Sequence, residues 1–194
     1  MTNMETIVLD KTSLEDKKTI TLLKKIFAGD RGNKFIWNIS DRSLAYESTE
    51  ALVNYLRKDF ERYLLFIAYH NNSAKGLFAA LNISEHDNTA NLIVWIDKRY
   101  RSRTFVIKWW IYFLLSLQQH KISRLYARIL KRNTISINAA MRYGFVDCDF
   151  LESSTDKSNA DSRRCMTRST ELNEFERHFL QDRCSSIYSF FNSK

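Results

Sequence analysis

Residues 94–103 read Val-Trp-Ile-Asp-Lys-Arg-Tyr-Arg-Ser-Arg, an apolar strand end that runs into a strongly basic turn. The turn leads into residues 103–119, which are apolar on most faces at the helical period and therefore predict a buried helix. Upstream, residues 64–70 and 75–84 are apolar runs separated by turn residues, a pattern typical of paired strands. Together with residues 90–96, they predict a three-stranded meander that ends at the basic turn.

The remaining segments alternate between strand and helix patterns. Their predicted bounds are strands at 5–11, 124–130, 145–150 and 163–169, and helices at 13–28, 49–60, 134–143 and, capped by Thr170, from Glu171 to about Phe191. This mixed order predicts an α/β fold with one central mixed sheet, helices on both faces and an extra C-terminal helix. We expect a single domain, 1–194, with core motifs in 64–150 and the last hairpin and helix in 151–194.

The chain is basic, with Lys+Arg 30 against Asp+Glu 22, a formal net charge of +8 and a pI of about 9.4. Hydrophobic residues make up 44% and charged residues 27%, which excludes a wholly disordered chain. The three cysteines, Cys148, Cys165 and Cys184, show no Cys-x-x-Cys spacing, so we expect neither a disulfide framework nor a metal site. This cysteine usage, with no signal peptide and no membrane span predicted, indicates a reducing cytoplasmic location.

A second segment carries functional information. Asn133-Thr134-Ile135-Ser136 opens a predicted helix, and Tyr143-Gly144-Phe145 follows its end. With residues 94–103, this segment resembles the GCN5-related N-acetyltransferase (GNAT) superfamily over residues 64–150, most closely the branch that acetylates ribosomal proteins, polyamines and sugar amines. The resemblance implies an enzyme that moves an acetyl group from acetyl-CoA directly to a primary amine of a small molecule or of a protein N-terminus.

The resemblance also implies where coenzyme A binds. The backbone of the strand end would pair with the amides of the pantetheine arm. The N–H groups at the start of the long helix would bind the pyrophosphate, helped by the helix dipole. The asparagine of the second segment contacts the coenzyme in the family. The implied coenzyme-binding residues are Val94, Trp95, Ile96, Arg101, Ser102, Arg103, Thr104, Phe105, Val106, Asn133 and Ser136.

The pyrophosphate loop departs from the family pattern. Family members carry small residues where this chain has Thr104 and Val106. Branched side chains at these two positions would hinder a close approach of the backbone to a phosphate. Arginine side chains of the basic turn would then hold the phosphates farther out.

The catalytic residues of the family do not carry over. A tyrosine acid and a glutamate base often lie seven residues after and five residues before the asparagine, and this chain has Ala140 and Arg128 there. Glu85, at the end of a strand that borders the expected cleft, is the first candidate for the base. Tyr143 is the candidate acid, with Tyr100 as a second one. A turn carboxylate and a packing tyrosine are the alternative interpretations of Glu85 and Tyr143.

Two other functions remain open. The first is an acyltransferase whose donor is an acidic acyl carrier protein, which a basic surface would attract. The second is a catalytically degenerate GNAT-fold protein that binds a partner through its basic face. The sequence carries no RNA-binding signature, so nucleic acid is not favoured. The C-terminal helix either closes the core or meets a second copy, which leaves a homodimer open.

Overall fold

The computed structural model describes residues 4–9, 15–17, 19–21, 54, 62–71, 73–101, 104–148 and 163–183. Within them lie the strands and helices β1 Met4–Leu9, β2 Tyr63–His70, β3 Ser73–Ser84, β4 Thr89–Ile96, α1 Thr104–Gln119, β5 Arg124–Leu130, α2 Thr134–Arg142, β6 Val146–Asp147, β7 Arg163–Ser169 and α3 Glu174–Arg183. Most of the helices predicted at 13–28 and 49–60, and the end of the C-terminal helix, lie outside the described residues.

The strands form one seven-stranded sheet in the order β1-β2-β3-β4-β5-β7-β6. Strands β1 to β3 are joined in antiparallel pairs, and so are β5 with β7 and β6 with β7. Strand β4 is parallel to β5, through the pairs Thr89–Arg124, Ala90–Leu125 and Asn91–Tyr126. The sheet is therefore mixed, and the predicted α/β class is confirmed.

The chain falls into two compact units, of which the first comprises residues 1–82 and 93–102. Its core lies along β2 and β3, where Phe66, Ile67, Leu77 and Phe78 are at most 2% exposed. Residues 63–68 of β2 are all buried instead of alternating between buried and exposed. Such a strand is covered on both faces, which explains why its sequence is a continuous apolar run.

The second unit comprises residues 83–92 and 103–194. Helix α1 supplies much of its core, since Ile111, Phe113, Leu114 and Leu117 are fully buried. The prediction of a buried helix in this place is confirmed. Among the described residues, no helix is both long and apolar enough to cross a bilayer.

The last described helix corrects one prediction. Helix α3 begins at Glu174 and not at Glu171. Thr170 is buried, and its hydroxyl donates to the carbonyl of Ile122 (2.8 Å) instead of capping a helix. The cap is Asn173, whose Oδ1 accepts from the N–H of Glu176 while the Glu176 carboxylate accepts from the N–H of Asn173 (both 2.9 Å). This reciprocal pair is a capping box.

Strand β6 is also shorter than predicted. It covers Val146–Asp147, whereas the apolar pattern predicted residues 145–150. Phe145 is 4% exposed and packs in the core before the strand begins, and residues 149 and 150 lie outside the described part of the chain. Burial of an aromatic ring and pairing in a sheet both give an apolar position, so the pattern could not separate them.

Candidate functional site

In the first unit, the chain leaves β4 through a turn that its own polar groups hold in place. The backbone N–H of Asp97 donates to the carbonyl of Lys75, and the Asp97 carbonyl accepts from the N–H of Tyr100 (both 2.8 Å). The Asp97 carboxylate accepts from the backbone N–H and from Nη2 of Arg99 (both 3.0 Å). Asp97 thus caps the short 3-10 turn Lys98–Tyr100.

The electrostatics of this turn fix the charge of Asp97. Hydrogen bonds from Arg99, reinforced by the positive charge of Lys75, lower the pKa of the Asp97 carboxyl below its ordinary value. A carboxylate held in its ionised form by an arginine is a weak base. Asp97 is therefore suited to shaping the loop and not to removing a proton from a substrate.

The side chain of Arg101 folds back on the end of β4. Its Nε donates to the carbonyl of Ile96 (3.0 Å), while the side chain remains exposed. Val94 is 37% exposed, and Trp95 and Ile96 are half-buried. The basic group and the strand end, to which the family resemblance gives a coenzyme-binding role, are therefore neighbours within this unit.

Three side chains from different parts of the sequence meet next to this turn. His70 Nδ1 lies 3.3 Å from the hydroxyl of Tyr100, and the two rings are 5.6 Å apart in an edge arrangement. Lys75 is 9% exposed, and its Nζ lies 5.1 Å from the centre of the Tyr100 ring. The strand pair His70–Ser73 brings the ends of β2 and β3 together. No spacing in the sequence signals the group, because it depends on sheet pairing.

In the second unit, α1 begins at Thr104, whose side chain is exposed. Val106 is 2% exposed, so its side chain is packed in the core. The hindrance expected from Thr104 and Val106 stays a prediction. Ser102, Arg103 and the side chain of Phe105 lie outside the described residues.

Asn133 caps the start of helix α2, and Gly144 follows its end. Asn133 Oδ1 accepts from the backbone N–H of Ser136 (3.2 Å), which satisfies an N–H group at the start of the helix. Gly144, with φ of 82°, takes the left-handed position after the last turn. Tyr143 lies at the other end from Asn133, about 15 Å along the helix axis. The structure thus does not bring the implied coenzyme contact Asn133 and the candidate acid Tyr143 together.

Tyr143 sits in a packed, charged environment. Its ring centre is 5.2 Å from that of Trp110, and its backbone carbonyl accepts from Nη1 of Arg168. Burial, reinforced by the negative charge of Glu176, raises the pKa of the Tyr143 hydroxyl. This tyrosine therefore stays protonated at neutral pH but is a weaker acid than an exposed one.

Glu85 occupies an exposed position in the turn between β3 and β4. The turn is held by its neighbours, because Asp87 accepts from the Ser84 hydroxyl (3.0 Å) and lies 2.8 Å from Nδ1 of His86. Glu85 takes no part in these contacts. Among the described residues, no group of three or more His, Cys, Asp or Glu side chains is arranged to hold a metal ion.

Comparison with known proteins identifies the fold. No protein-family model matches the chain, and no curated protein matches it in sequence. A GNAT-family acetyltransferase from Streptococcus pneumoniae matches with a TM-score of 0.58 and 14% identity, over 86% of this chain and 99% of that one. Spermidine N-acetyltransferase from Vibrio cholerae, in complex with CoA and spermine, matches with a TM-score of 0.56 and 13% identity, over 86% and 95%.

A ribosomal L7/L12 alpha-N-protein acetyltransferase in complex with coenzyme A matches with a TM-score of 0.58 and 14% identity, over 86% of this chain and 93% of that one. Structural similarity at such low sequence identity establishes the fold but not the activity. The chain has the fold of the GNAT acetyltransferases, as the two sequence segments implied.

Proposed function

We propose that this protein is an N-acetyltransferase of the GNAT type, which moves an acetyl group from acetyl-CoA to a primary amine of a small molecule or of a protein N-terminus. The observation that carries the proposal is the fold shared with acetyltransferases over 86% of the chain. Two of those proteins are in complex with coenzyme A, and their names assign them a polyamine and a protein N-terminus as acceptors.

The coenzyme-binding role is assigned to the segment from Val94 to Val106. Its charge supports the assignment: Lys98, Arg99 and Arg101 are exposed around the end of β4, and the first turn of α1 contains no acidic residue. Coenzyme A carries several phosphate charges, which a basic rim attracts. The amides at the start of the 16-residue helix α1 would supply further donors to the pyrophosphate.

The proposed reaction balances without a metal. The unprotonated amine attacks the carbonyl carbon of the thioester, the C–S bond of the collapsing intermediate breaks, and an amide and a thiolate result. The attacking nitrogen gives up a proton, and the thiolate sulfur takes one. We assign Glu85 to the first transfer and Tyr143 to the second. Exposure to solvent keeps Glu85 reachable by an acceptor, and a raised pKa keeps Tyr143 in the protonated form that a donor needs.

Tyr100 is the rival for the proton donor. It belongs to the same turn as the proposed phosphate-binding arginines, and its hydroxyl lies 3.3 Å from Nδ1 of His70. A histidine in hydrogen-bond reach can return a proton to the tyrosine after each turnover. Tyr143 is packed against Trp110 and has no such relay among its described contacts.

The test is acetyl transfer to a panel of amines. The protein is mixed with acetyl-CoA and with spermidine, an amino sugar or a peptide with a free N-terminus. Mass spectrometry identifies the products, and a thiol assay measures the coenzyme A that is released. We expect one class of acceptor to gain an acetyl group. Glu85→Gln should lower kcat by about 10²-fold or more. Of Tyr143→Phe and Tyr100→Phe, the variant that removes the proton donor should lower kcat to a similar extent. Tyr112→Phe, in the middle of α1, is the matched control and should leave kcat unchanged.

An acidic acyl carrier protein is the alternative donor. The net charge of +8 and the exposed threonine in the pyrophosphate loop would also suit such a donor. Testing the same amines with acetylated acyl carrier protein as the donor separates the two proposals. Transfer from the carrier but not from acetyl-CoA would overturn the first and support the second. Transfer from neither donor to any amine would leave the GNAT fold as a binding module.

A further inference from the structure

Cys148, which directly follows β6, faces Cys165 of the neighbouring strand β7 in the second unit. Their Sγ atoms lie 3.0 Å apart, and the backbone N–H of Cys148 donates to the carbonyl of Cys165 (3.2 Å). The register of β6 with β7 pairs Val146 with Thr167 and Asp147 with Met166, so Cys148 is opposite Cys165 at the next position. Residues directly opposite in an antiparallel pair project from the same face of the sheet.

This placement meets the geometric requirements of a disulfide. Directly opposite residues have Cα atoms about 4.5–5.5 Å apart, which lies within the range of about 4.4–6.8 Å that disulfides span. Both side chains are half-buried, so a small reagent can reach them. The sulfurs would have to approach each other by only about 1 Å to reach bonding distance.

The backbone on both sides of the pair is held independently of the sulfurs. Strand β7 pairs with β5 along its whole length, from Arg163–Leu130 to Ser169–Arg124. Next to Cys148, the Asp147 carboxylate forms an ion pair with Arg164, the neighbour of Cys165. The two thiols are thus presented to each other by strand pairing and a salt bridge. Formation of the bond requires no rearrangement of either strand.

We propose that Cys148 and Cys165 form a reversible disulfide by exchange with a small-molecule disulfide such as oxidised glutathione. The thiolate of one cysteine attacks the reagent, a mixed disulfide forms, and one equivalent of glutathione leaves as its thiol. The second cysteine, as thiolate, then attacks the protein sulfur of the mixed disulfide and releases the second glutathione. The protein loses two electrons and two protons in all, and the oxidant is reduced to two thiols.

The bond would fasten the edge of the sheet. Strand β6 is two residues long and lies at the edge of the sheet, where it pairs with β7. A cross-link at Cys148 and Cys165 closes the chain between them into a loop, which restricts the unfolded state more than the folded one. The oxidised protein should therefore unfold at a higher urea concentration than the reduced protein.

The experiment oxidises the full chain with glutathione disulfide and follows it by intact mass, thiol titration and non-reducing peptide mapping. Apart from any glutathione that adds to Cys184, we expect the mass to fall by that of two hydrogen atoms. The titratable thiols of Cys148 and Cys165 should fall from two to none. The map should contain a peptide that joins Cys148 to Cys165, and dithiothreitol should reverse each change. Cys184→Ser is the matched control and should still form the same link.

Three results would overturn the proposal. They are a glutathione adduct that persists on wild-type Cys148 or Cys165, a link that contains Cys184, and a cross-linked dimer in place of the internal bond. The Cys148→Ser and Cys165→Ser variants supply the positive counterpart, since each should stop at one glutathione adduct on its remaining strand cysteine. Peptide mapping of the wild-type chain decides the matter even where a variant folds poorly.

Discussion

Arg168 and Glu176 form a buried ion pair in the second unit, with Nη1 and Oε1 3.0 Å apart and side chains 4% and 1% exposed. The indole N–H of Trp110 donates to the same Glu176 oxygen (2.7 Å). Arg168 also donates to the backbone carbonyls of Ser169 (2.7 Å) and Glu171 (3.0 Å), and its guanidinium carbon lies 5.3 Å from the centre of the Trp110 ring. These contacts join α3, β7 and α1 around two charges that are fully hydrogen-bonded.

Removal of the carboxylate should destabilise the protein strongly, because Arg168 would keep a buried charge with no counterion. We expect Glu176→Ala to lower the free energy of unfolding by about 3–5 kcal/mol. The control Glu174→Ala, an exposed acid in the same helical turn, should cost less than about 1 kcal/mol. Urea unfolding followed by circular dichroism measures both. A loss below about 1 kcal/mol for Glu176→Ala would show that solvent reaches the pair.

Gly144 should resist substitution because of its backbone and not for lack of space. An added Cβ would lie 3.8 Å from Asn173 Nδ2 and 3.9 Å from Arg168 Nη1, which are ordinary contacts. The φ of 82° is the unfavourable feature, and Gly144→Ala should lower the free energy of unfolding by about 1–2 kcal/mol. Gly144→Asn should cost less, since asparagine tolerates this conformation. Equal stability of the alanine variant and the wild type would contradict a left-handed cap.

The contribution of Asp97 to stability should depend on pH in a defined direction. Its folded pKa is lowered by Arg99, so the stabilisation is fully present above the unfolded pKa of about 3.9. It is lost as the pH falls through the folded pKa, because both states are then protonated. Wild type should therefore unfold at higher urea than Asp97→Asn at neutral pH, and the gap should close in acid. A gap that is constant with pH would mean that the Asp97→Asn variant loses something other than charge.

Asn133 offers a way to separate capping from coenzyme binding. Asn133→Ala should lower the free energy of unfolding by about 1 kcal/mol, because the N–H of Ser136 loses its acceptor. Asn133→Ser restores a capping oxygen but not the side-chain amide. We expect this variant to recover stability while its affinity for coenzyme A, measured by calorimetry, stays reduced. Full recovery of both would restrict Asn133 to a structural role.

Much of the fold follows from local pattern. Strands β5 and β7 have the predicted bounds, and β2, β3 and β4 each begin one or two residues before their predicted start. Apolar runs between turn residues leave few alternatives. The start of α3 differs from the predicted one for a physical reason. Threonine and asparagine both cap helices, so Thr170 and Asn173 are both suitable N-cap residues. The Thr170 hydroxyl instead donates to the carbonyl of Ile122, which leaves Asn173 as the cap. That partner lies too far away in sequence for any local pattern to reveal it.

The candidate site was predictable where charge sits on a continuous segment, as in the basic turn after β4. It was not predictable where strand pairing assembles it. His70, Lys75 and Tyr100 meet only once β2, β3 and β4 lie side by side. Cys148 and Cys165, which are 17 positions apart in the sequence, likewise become neighbours through the register of β6 with β7.

Titration with acetyl-CoA by calorimetry shows directly whether this protein binds the acetyl donor of the proposed reaction. The wild-type protein should bind with micromolar affinity, and Arg101→Glu should weaken binding at least tenfold, because it places a negative charge at the end of β4. Arg177→Glu, an equal change of charge on the exposed side of α3, should bind as the wild type does. Absence of binding at millimolar acetyl-CoA would contradict the proposed acetyltransferase. Equal weakening by both variants would show that net charge, and not the basic turn, attracts the coenzyme.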